Sequence, residues 1–159
     1  MIALRKITKE NYEECFALKV ADSQMDFVPS NVYSLAQAWI FQDTSFPFAI
    51  YDDNTMVGFI MLGYYEIKNY YTIWRFMIDK NYQNKGYGKK ALVLGVNFLI
   101  DNFKVKEVFL SVEPENTIAR HLYRSLGFIE TGENNGREIG MKLTTDNRFF
   151  NMPNKKLSL

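Results

Sequence analysis

The chain has 159 residues, of which 47% are hydrophobic and 23% are charged, and its formal net charge at pH 7 is +1. These values are typical of one soluble globular domain, and the near-zero charge gives no indication of a nucleic-acid partner. Because Cys15 and His121 are the single cysteine and histidine, the sequence excludes an intramolecular disulfide and a Cys/His zinc site. No apolar run reaches the ~18 residues of a membrane span, and the N-terminus lacks the apolar block of a signal peptide. A cytoplasmic protein without membrane or metal partners is therefore expected.

The first half of the chain predicts strands and helices by its apolar periodicity. They are a strand at 2–7, helices at 9–18 and 31–41, and strands at 48–51, 56–66 and 70–78. Thr8 and Ser30 are the expected N-caps of the two helices. On the first helix Tyr12, Cys15 and Phe16 fall at helical spacing, which predicts that all three face the core. Cys15 is therefore interpreted as a small buried residue and not as a nucleophile.

The second half continues with a loop that contains two glycines. Its predicted elements are a helix at 88–102, a strand at 107–112, a helix at 117–126, and strands at 128–133 and 137–144 joined by a turn at 134–136. Residues 1–145 are predicted to form one domain, and 146–159 a frayed C-terminal tail. The order of elements predicts an α/β (mixed α+β) fold whose largely antiparallel sheet has helices on its faces. The strands at 70–78 and 107–112 are expected to run parallel.

The charges are unevenly distributed along the chain. Between Glu10 and Asp53 there are eight acids and one base, which gives 1 − 8 = −7, and the remaining residues carry 18 bases and 10 acids, which gives +8. This pattern favours an acidic surface for a cationic ligand and a basic surface for an anionic one. Solvated surface charges that happen to segregate along the sequence would produce the same pattern.

The most informative segment is Gln83-Asn84-Lys85-Gly86-Tyr87-Gly88-Lys89, between a predicted strand and a predicted helix. The glycines let a ligand approach the backbone closely, and successive N–H groups at a helix N-terminus bind anions. The lysines add positive charge. The spacing differs from the dinucleotide-binding and P-loop motifs. It is typical of a pyrophosphate site or of a glycine-rich turn without a ligand.

Two segments together resemble motifs of the GNAT family of N-acetyltransferases. Gln83, Gly86 and Gly88 match the family's Gln/Arg-x-x-Gly-x-Gly/Ala motif. The stretch 116–128 is similar to its Asn-x-x-Ala-x-x-Leu-Tyr-x-x-x-Gly-Phe signature. The resemblance covers 70–128 and implies the GNAT fold, in which a mostly antiparallel sheet is splayed between two parallel strands and flanked by helices.

The resemblance implies that the co-substrate is acetyl-CoA and that no metal is required. The strand at 70–78 would pair with the pantetheine arm, the glycine loop would hold the pyrophosphate, and Asn116 would bond the pantetheine. The residues implied to bind acetyl-CoA are Phe76, Met77, Ile78, Gln83, Asn84, Lys85, Gly86, Tyr87, Gly88, Lys89 and Asn116. Tyr123 would protonate the departing thiolate as general acid.

The general base is not defined by the resemblance. Acetyl transfer needs a neutral amine, whereas an alkyl ammonium with a pKa near ~10 keeps its proton at pH 7. In diamine acetyltransferases of the mammalian type a carboxylate lies on the strand before the first motif, but this chain has Trp74 and Arg75 there. Glu113 and Glu66 are the leading candidates, and Asp52 or a chain of water molecules is the alternative.

The acceptor is suggested by a wider resemblance to small bacterial spermine/spermidine acetyltransferases, through segments 31–38, 47–53 and 73–79. In those enzymes the region of the first two helices lines the acceptor pocket. The resemblance implies a polyamine acceptor, held by charge and cation–π contacts, and a homodimer. Direct attack in a ternary complex is expected, because Cys15 lies outside the motif region. The implied acceptor-binding residues are Asp22, Asp26, Tyr33 and Trp74. A protein N-terminus or lysine, an amine-containing small molecule, or a non-catalytic acyl-CoA sensor remain alternatives.

Overall fold

The computed structural model describes residues 1–145, and within them the strands form a single sheet. The strands are β1 (Ile2–Lys6), β2 (Ser45–Asp52), β3 (Thr55–Tyr65), β4 (Tyr70–Ile78), β5 (Glu107–Val112), β6 (Ile129–Asn135) and β7 (Glu138–Thr144). The helices are α1 (Tyr12–Ala17), α2 (Asn31–Ile40), α3 (Tyr87–Phe103) and α4 (Thr117–Ser125). The predicted tail at 146–159 lies outside the described residues. None of the helices between residues 1 and 145 is long and apolar enough to cross a membrane.

The strand order is β1-β2-β3-β4-β5-β7-β6. Every neighbouring pair is antiparallel except β4 and β5, which run parallel. This parallel pair meets at Thr72 and Phe109 alone, and the two strands separate toward their C-terminal ends. The mixed α/β architecture predicted from the sequence, with one parallel pair in a mostly antiparallel sheet, is therefore confirmed.

A β-bulge in β4 changes which side chains share a face. Met61 of β3 pairs with Arg75 and the adjacent Leu62 pairs with Ile73, so Trp74 is an extra residue without a partner. Side chains normally alternate between the faces of a strand, but an extra residue interrupts the alternation. Trp74 and Arg75 consequently both face α1 and α2, where Trp74 packs on the apolar cluster and Arg75 bonds Gln37.

Two hydrophobic clusters cover the two faces of the sheet. The larger one lies between the sheet and helices α3 and α4, and it contains Ile60, Leu92 and Phe128, each almost fully buried. The smaller one lies under α1 and α2 and is built around Phe59 and Met61. Both faces are thus held by apolar burial, which leaves the separated ends of β4 and β5 as an opening between two packed layers.

The N-terminal helix differs from its prediction. It begins at Tyr12 instead of residue 9, because Thr8 lies in a turn where its N–H donates to Asn11 Oδ1 at 2.8 Å and its carbonyl accepts from the Tyr12 N–H at 3.0 Å. Cys15 is fully buried as predicted, and burial raises the pKa of its thiol to about 12. The prediction for Tyr12 and Phe16 was wrong, since this helix of six residues buries Cys15 alone. Both rings are about 40% exposed to solvent, and they contact each other edge to face.

The start of β2 and the turn between β6 and β7 also differ from the sequence prediction, and local contacts explain both differences. β2 begins at Ser45, three residues before the prediction, and its Ser45 hydroxyl donates to the carbonyl of Ala38 at 3.1 Å. The last turn was predicted at 134–136, but Asn135 pairs with Glu138. Gly136, with φ 64°, therefore supplies the left-handed residue of a tighter turn.

The close approach of β3 to β4 at Gly58 gives the first prediction. A Cβ at Gly58 would overlap the main-chain carbonyl oxygen of Met77, which cannot move independently of β4. We expect Gly58→Ala to lower the free energy of unfolding by about 1–3 kcal/mol, measured by urea denaturation.

Gly95→Ala is the matched control for that variant. A Cβ there would meet the flexible end of the Ile60 side chain at 2.9 Å. Alanine also favours the α3 helix over glycine by ~1 kcal/mol. The loss should therefore be clearly smaller than in Gly58→Ala, and equal losses would contradict the backbone clash.

Candidate active site

A cavity of about 600 Å³ lies where β4 and β5 separate. It is lined by the C-terminal half of β4, the loop before α3, the end of β5, and α4. Gln24 and Phe27, from the segment between α1 and α2, close it on the other face of the sheet. A cavity of this size and mixed lining is typical of a small-molecule site.

Most of the predicted site residues line this one cavity. They are Trp74, Phe76, Met77, Ile78, Gln83, Asn84, Gly86, Tyr87, Gly88, Lys89, Glu113, Asn116 and Tyr123. They come from β4, from the first turn of α3, from the end of β5 and from α4. The fold therefore brings together two motifs that are distant in the sequence.

Other predicted residues are not brought to the cavity. Glu66 lies on the exposed turn between β3 and β4, at the end of β4 opposite to the separation, so its position does not support a role as base. Asp22 and Asp26 are exposed near cavity-lining Gln24 and Phe27. Tyr33 on α2 is 58% exposed.

Lys85 is also outside the cavity lining, although it lies in the predicted pyrophosphate loop. Its Nζ lies 5.2 Å from the centroid of the Tyr82 ring, and Tyr82 does line the cavity. Lys85 therefore contributes positive charge at the rim, while Lys89 of the first turn of α3 contributes it from the wall.

Asp52, an alternative base, is already engaged elsewhere. Its carboxylate accepts a hydrogen bond from the Tyr87 hydroxyl at 2.8 Å and forms an ion pair with the Met1 ammonium at 3.0 Å. These two contacts hold the pKa of Asp52 below its ordinary value. The residue anchors the first turn of α3 to the end of β2 and does not line the cavity.

The edge of β4 offers backbone groups to the cavity. The Asp79 N–H donates to the Val57 carbonyl of β3 at 2.9 Å. Because the N–H and C=O groups of successive residues point to alternate sides of a strand, those of Met77 also point toward β3. The N–H and C=O groups of Phe76 and Ile78 therefore point away from β3. On that side β5 pairs with β4 at Thr72 only. A ligand can therefore add to β4 at Phe76 as an extra strand would.

Gln83 lines the cavity and also forms hydrogen bonds within the protein. Its Nε2 donates to the Ile78 carbonyl at 3.0 Å and to Gln24 Oε1 at 2.7 Å. It therefore occupies one of the two edge carbonyls and ties the loop after β4 to the segment that closes the cavity.

The turn before α3 is built for an anion. Asn84 and Gly86 have the left-handed φ values 62° and 76°, and Gly86 is the N-cap of α3 without a side-chain cap. The first N–H groups of a helix lack partners within the helix, and its dipole favours negative charge there. A Cβ at Gly88 would lie 3.3 Å from Leu122 and 3.5 Å from Phe76, so this glycine brings α3 close to α4 and β4.

Tyr123 is the buried hydroxyl of the site. Only 7% of it is exposed, and its ring centroid lies 5.9 Å from that of Phe128. Burial, assisted by the charge of Glu138, raises the pKa of the phenol well above its usual range. The hydroxyl therefore keeps its proton at neutral pH and is available as a hydrogen-bond donor. Asn116 lines the same wall, where its Oδ1 caps α4 by accepting from the Ala119 N–H at 3.3 Å.

A second carboxylate, which the sequence analysis missed, lies beside Glu113. Val112 of β5 pairs with Ile139 of β7, so the next residues of the two antiparallel strands are Glu113 and Glu138. Glu138 is partly buried in the cavity wall. Burial and the charge of Glu113 raise its pKa, and Arg75 acts in the opposite direction. No local motif marks this residue, because its position depends on the register of two strands that are far apart in the sequence.

Arg75 lies on the wall formed by β4. Its Nη1 donates to the Trp74 carbonyl at 2.8 Å and its Nη2 to Gln37 Oε1 at 3.0 Å. Its buried Nε has no hydrogen-bond partner within residues 1–145, and no ion pair is formed by Arg75 in this part of the chain. The guanidinium is thus a fixed cation whose charge is balanced through the cavity by Glu138.

The match to known proteins is clear at the level of the family. The chain matches the model of the acetyltransferase (GNAT) family over residues 4–128. It belongs to this family. The GNAT membership, and with it an acyl-transferring enzyme, confirms what the two sequence motifs predicted.

Two curated GNAT relatives cover nearly the whole chain. A probable spermine N(1)-acetyltransferase of Bacillus subtilis subsp. natto (strain BEST195) is 32% identical, and a spermine/spermidine N(1)-acetyltransferase of Bacillus subtilis (strain 168) is 31% identical. Each alignment covers 89% of this chain and 97% of the relative.

A solved structure shares the GNAT fold. The spermidine N-acetyltransferase from Vibrio cholerae in complex with CoA and spermine superimposes with a TM-score of 0.72 at 20% identity, and covers 90% of this chain and 95% of its own. Within residues 1–145 of the present chain, no three His, Cys, Asp or Glu side chains are grouped so that they could hold a metal ion.

The left-handed turn of this GNAT domain gives the second prediction. No atom lies within 4 Å of a Cβ built on Gly86, so the constraint there is the backbone angle and not space. Alanine in this conformation costs ~1–2 kcal/mol, and asparagine costs less because it tolerates left-handed backbone. We expect Gly86→Ala to weaken acetyl-CoA binding more than Gly86→Asn, measured by calorimetric titration. Equal affinities for the two variants would contradict the conformational role.

Proposed function

We propose that this enzyme transfers the acetyl group of acetyl-CoA to a primary amine of spermine or spermidine, by direct attack in a ternary complex. The observation that carries the proposal is the arrangement of the cavity. An anion-binding turn lies at one end, two carboxylates line the other face of the sheet, and the open edge of β4 connects them. The polyamine acceptors named for the two Bacillus relatives support the choice of acceptor.

The donor fits the residues of the cavity. The N-terminal turn of α3, with Lys89, would hold the pyrophosphate, and the edge of β4 at Phe76 would pair with the amides of the pantetheine. The thioester would then lie beside the buried hydroxyl of Tyr123. Gly88 supports this path, because any side chain there would narrow the space between α3, α4 and β4.

The residues then act on an amine and a thioester. Backbone N–H groups at the separated strands would stabilise the oxyanion of the tetrahedral intermediate. Tyr123 would donate its hydroxyl hydrogen to the departing sulfur. Its high pKa makes it a persistent donor at neutral pH. Cys15 forms no acetyl-enzyme in this scheme, since it is buried in the other cluster with a pKa of about 12.

A polyamine suits the charge of the acceptor side. Glu113 and Glu138 give the acceptor side of the cavity two carboxylates beside the cation of Arg75, while Lys89 lies in the first turn of α3. The rings of Phe27 and Trp74 line the same region and can contact an alkyl ammonium through their faces. The exposed Asp22 and Asp26 lie outside the cavity and would attract a polycation over longer distances.

The proposal is tested by measuring thiol release from acetyl-CoA with spermine, spermidine, putrescine, lysine, a peptide with a free N-terminus and an aminoglycoside. The highest kcat/KM is expected with spermine or spermidine. Turnover of only the peptide or the aminoglycoside would overturn the polyamine acceptor while keeping the acetyltransferase. If acetyl-CoA binds but none of these amines reacts, a non-catalytic acyl-CoA sensor becomes the better interpretation.

Tyr123→Phe tests the role of the hydroxyl. We expect kcat to fall by ~10²–10⁴, because the departing sulfur loses its proton donor. The ring and its contacts remain, so the affinity for acetyl-CoA and the melting temperature should be unchanged. A fall in affinity equal to the fall in kcat would show instead that Tyr123 is a binding residue.

The wider proposal includes a cytoplasmic homodimer. Acetyl-CoA is an intracellular metabolite, and β6, at the outer edge of the sheet, presents backbone groups to which a second copy could add. Light scattering on the purified protein measures the oligomeric state, and a monomer at micromolar concentration would contradict the proposed homodimer.

A further inference from the structure

We infer that Glu138 is the general base of the reaction and takes the place of the carboxylate that β4 lacks. This inference rests on the proposed function and extends it by naming a residue of β7 as the group that removes the proton of the attacking amine. No motif or comparison marks Glu138. Its place is defined by strand register, by the face on which the side chain lies, and by its neighbours.

Strand alternation places Glu138 on the acceptor face of the sheet. Ile139, Met141 and Leu143 of β7 pack into the cluster with α3 and α4. The residue that precedes Ile139 therefore points to the opposite face, on which the bulge also places Arg75. Glu138 lines the cavity on that face, where an acceptor amine would enter beside Gln24 and Phe27.

Glu138 is also close to the reacting centre. Its charge contributes to the raised pKa of Tyr123, the residue proposed to lie at the sulfur. Glu113, the other carboxylate of the wall, follows the last residue of β5 and precedes Pro114, where the chain leaves the sheet. A base must lie within hydrogen-bond reach of the attacking nitrogen, and Glu138, which β7 holds in the wall of the cavity that Tyr123 also lines, is better placed for this.

The groups around Glu138 act on its proton in opposite directions. Burial and Glu113 raise its pKa, Arg75 lowers it, and the charge of Glu138 in turn raises the pKa of Tyr123. A carboxyl with a raised pKa accepts a proton more readily than an ordinary glutamate near neutral pH. Arg75 acts on the substrate as well, because a fixed cation lowers the pKa of an amine bound nearby.

The reaction balances with this assignment. The carboxylate of Glu138 takes one proton from the substrate ammonium, and the freed lone pair forms the N–C bond at the thioester carbon. The C–S bond then breaks with its electron pair on sulfur. The second proton of the nitrogen reaches sulfur by way of the Tyr123 hydroxyl, which gives one proton and receives another. Glu138 finally releases its proton to solvent, so the net products are the N-acetylamine, free CoA thiol and one proton.

The pH dependence of Glu138→Gln distinguishes a base from a structural residue. At pH 7 we expect kcat/KM for the best polyamine to fall by ~10²–10⁴. In the wild type, kcat/KM should fall as the pH drops through the raised pKa of Glu138 and should level off above it. Without its base the variant reacts only with the deprotonated amine, whose fraction rises with pH. Its kcat/KM should therefore keep rising toward the amine pKa of ~10, and the difference in kcat/KM from the wild type should shrink.

Three other variants complete the experiment. Glu107→Gln is the matched control, since Glu107 lies on the same face at the far end of β5, paired with Lys142 at 2.8 Å, and its activity and pH profile should be those of the wild type. Glu138→Asp should recover part of the rate and the wild-type shape of the profile. Glu113→Gln should keep the plateau of the wild-type profile, with its acidic limb moved to lower pH, because Glu113 no longer raises the pKa of Glu138.

The outcomes separate this inference from the proposed function. If the wild type acetylates polyamines and Glu138→Gln has the same rate and profile, the inference is wrong and the function stands. If Glu113→Gln alone loses the profile, Glu113 is the base. If Glu138→Gln melts lower and no longer binds acetyl-CoA, while Glu138→Asp recovers neither rate nor profile, its role is structural. A wild type that acetylates no amine overturns the proposed function, and the role of Glu138 with it.

Discussion

The site depends on a parallel strand pair that is held together at one position. Beyond Thr72 and Phe109 no ladder joins β4 to β5, although the helices on both faces keep each strand in place. An unpaired strand edge inside a protein leaves polar groups that require partners. The fold therefore carries a partly unpaired edge in its middle, and a ligand with amide groups is one natural partner for it. The turn before α3 and the hydroxyl of Tyr123 are arranged around that edge.

The local parts of this arrangement could be predicted from the sequence. The bounds of β4 and β5 were predicted without error, because both strands have strong apolar patterns and are bounded by polar residues. The glycine turn and the cap at Asn116 depend on contacts within a few residues, so short motifs identify them. The two motifs also resemble those of a known family, and this resemblance implies the fold.

The non-local parts could not be predicted in the same way. Glu66 adjoins β4 in the sequence, but proximity along the chain does not say which end of a strand opens into a cavity. Glu138 reaches the site through the pairing of β5 with β7, across an intervening helix and strand. The bulge at Trp74 is equally hidden, since no glycine or proline marks it and it exists only relative to the register of β3.

The bulge and the open edge together give the main chain and the side chains of β4 separate roles. In the proposed scheme the main chain of β4 at Phe76 faces the donor, whereas the side chains of Trp74 and Arg75 face the acceptor. Main-chain hydrogen bonds do not depend on residue type, so substitutions at 74 and 75 can alter the amine that is accepted without loss of the acyl donor. A new acceptor specificity can therefore evolve in such a fold by exchange of side chains on β4, while the main chain of the same strand continues to bind the donor.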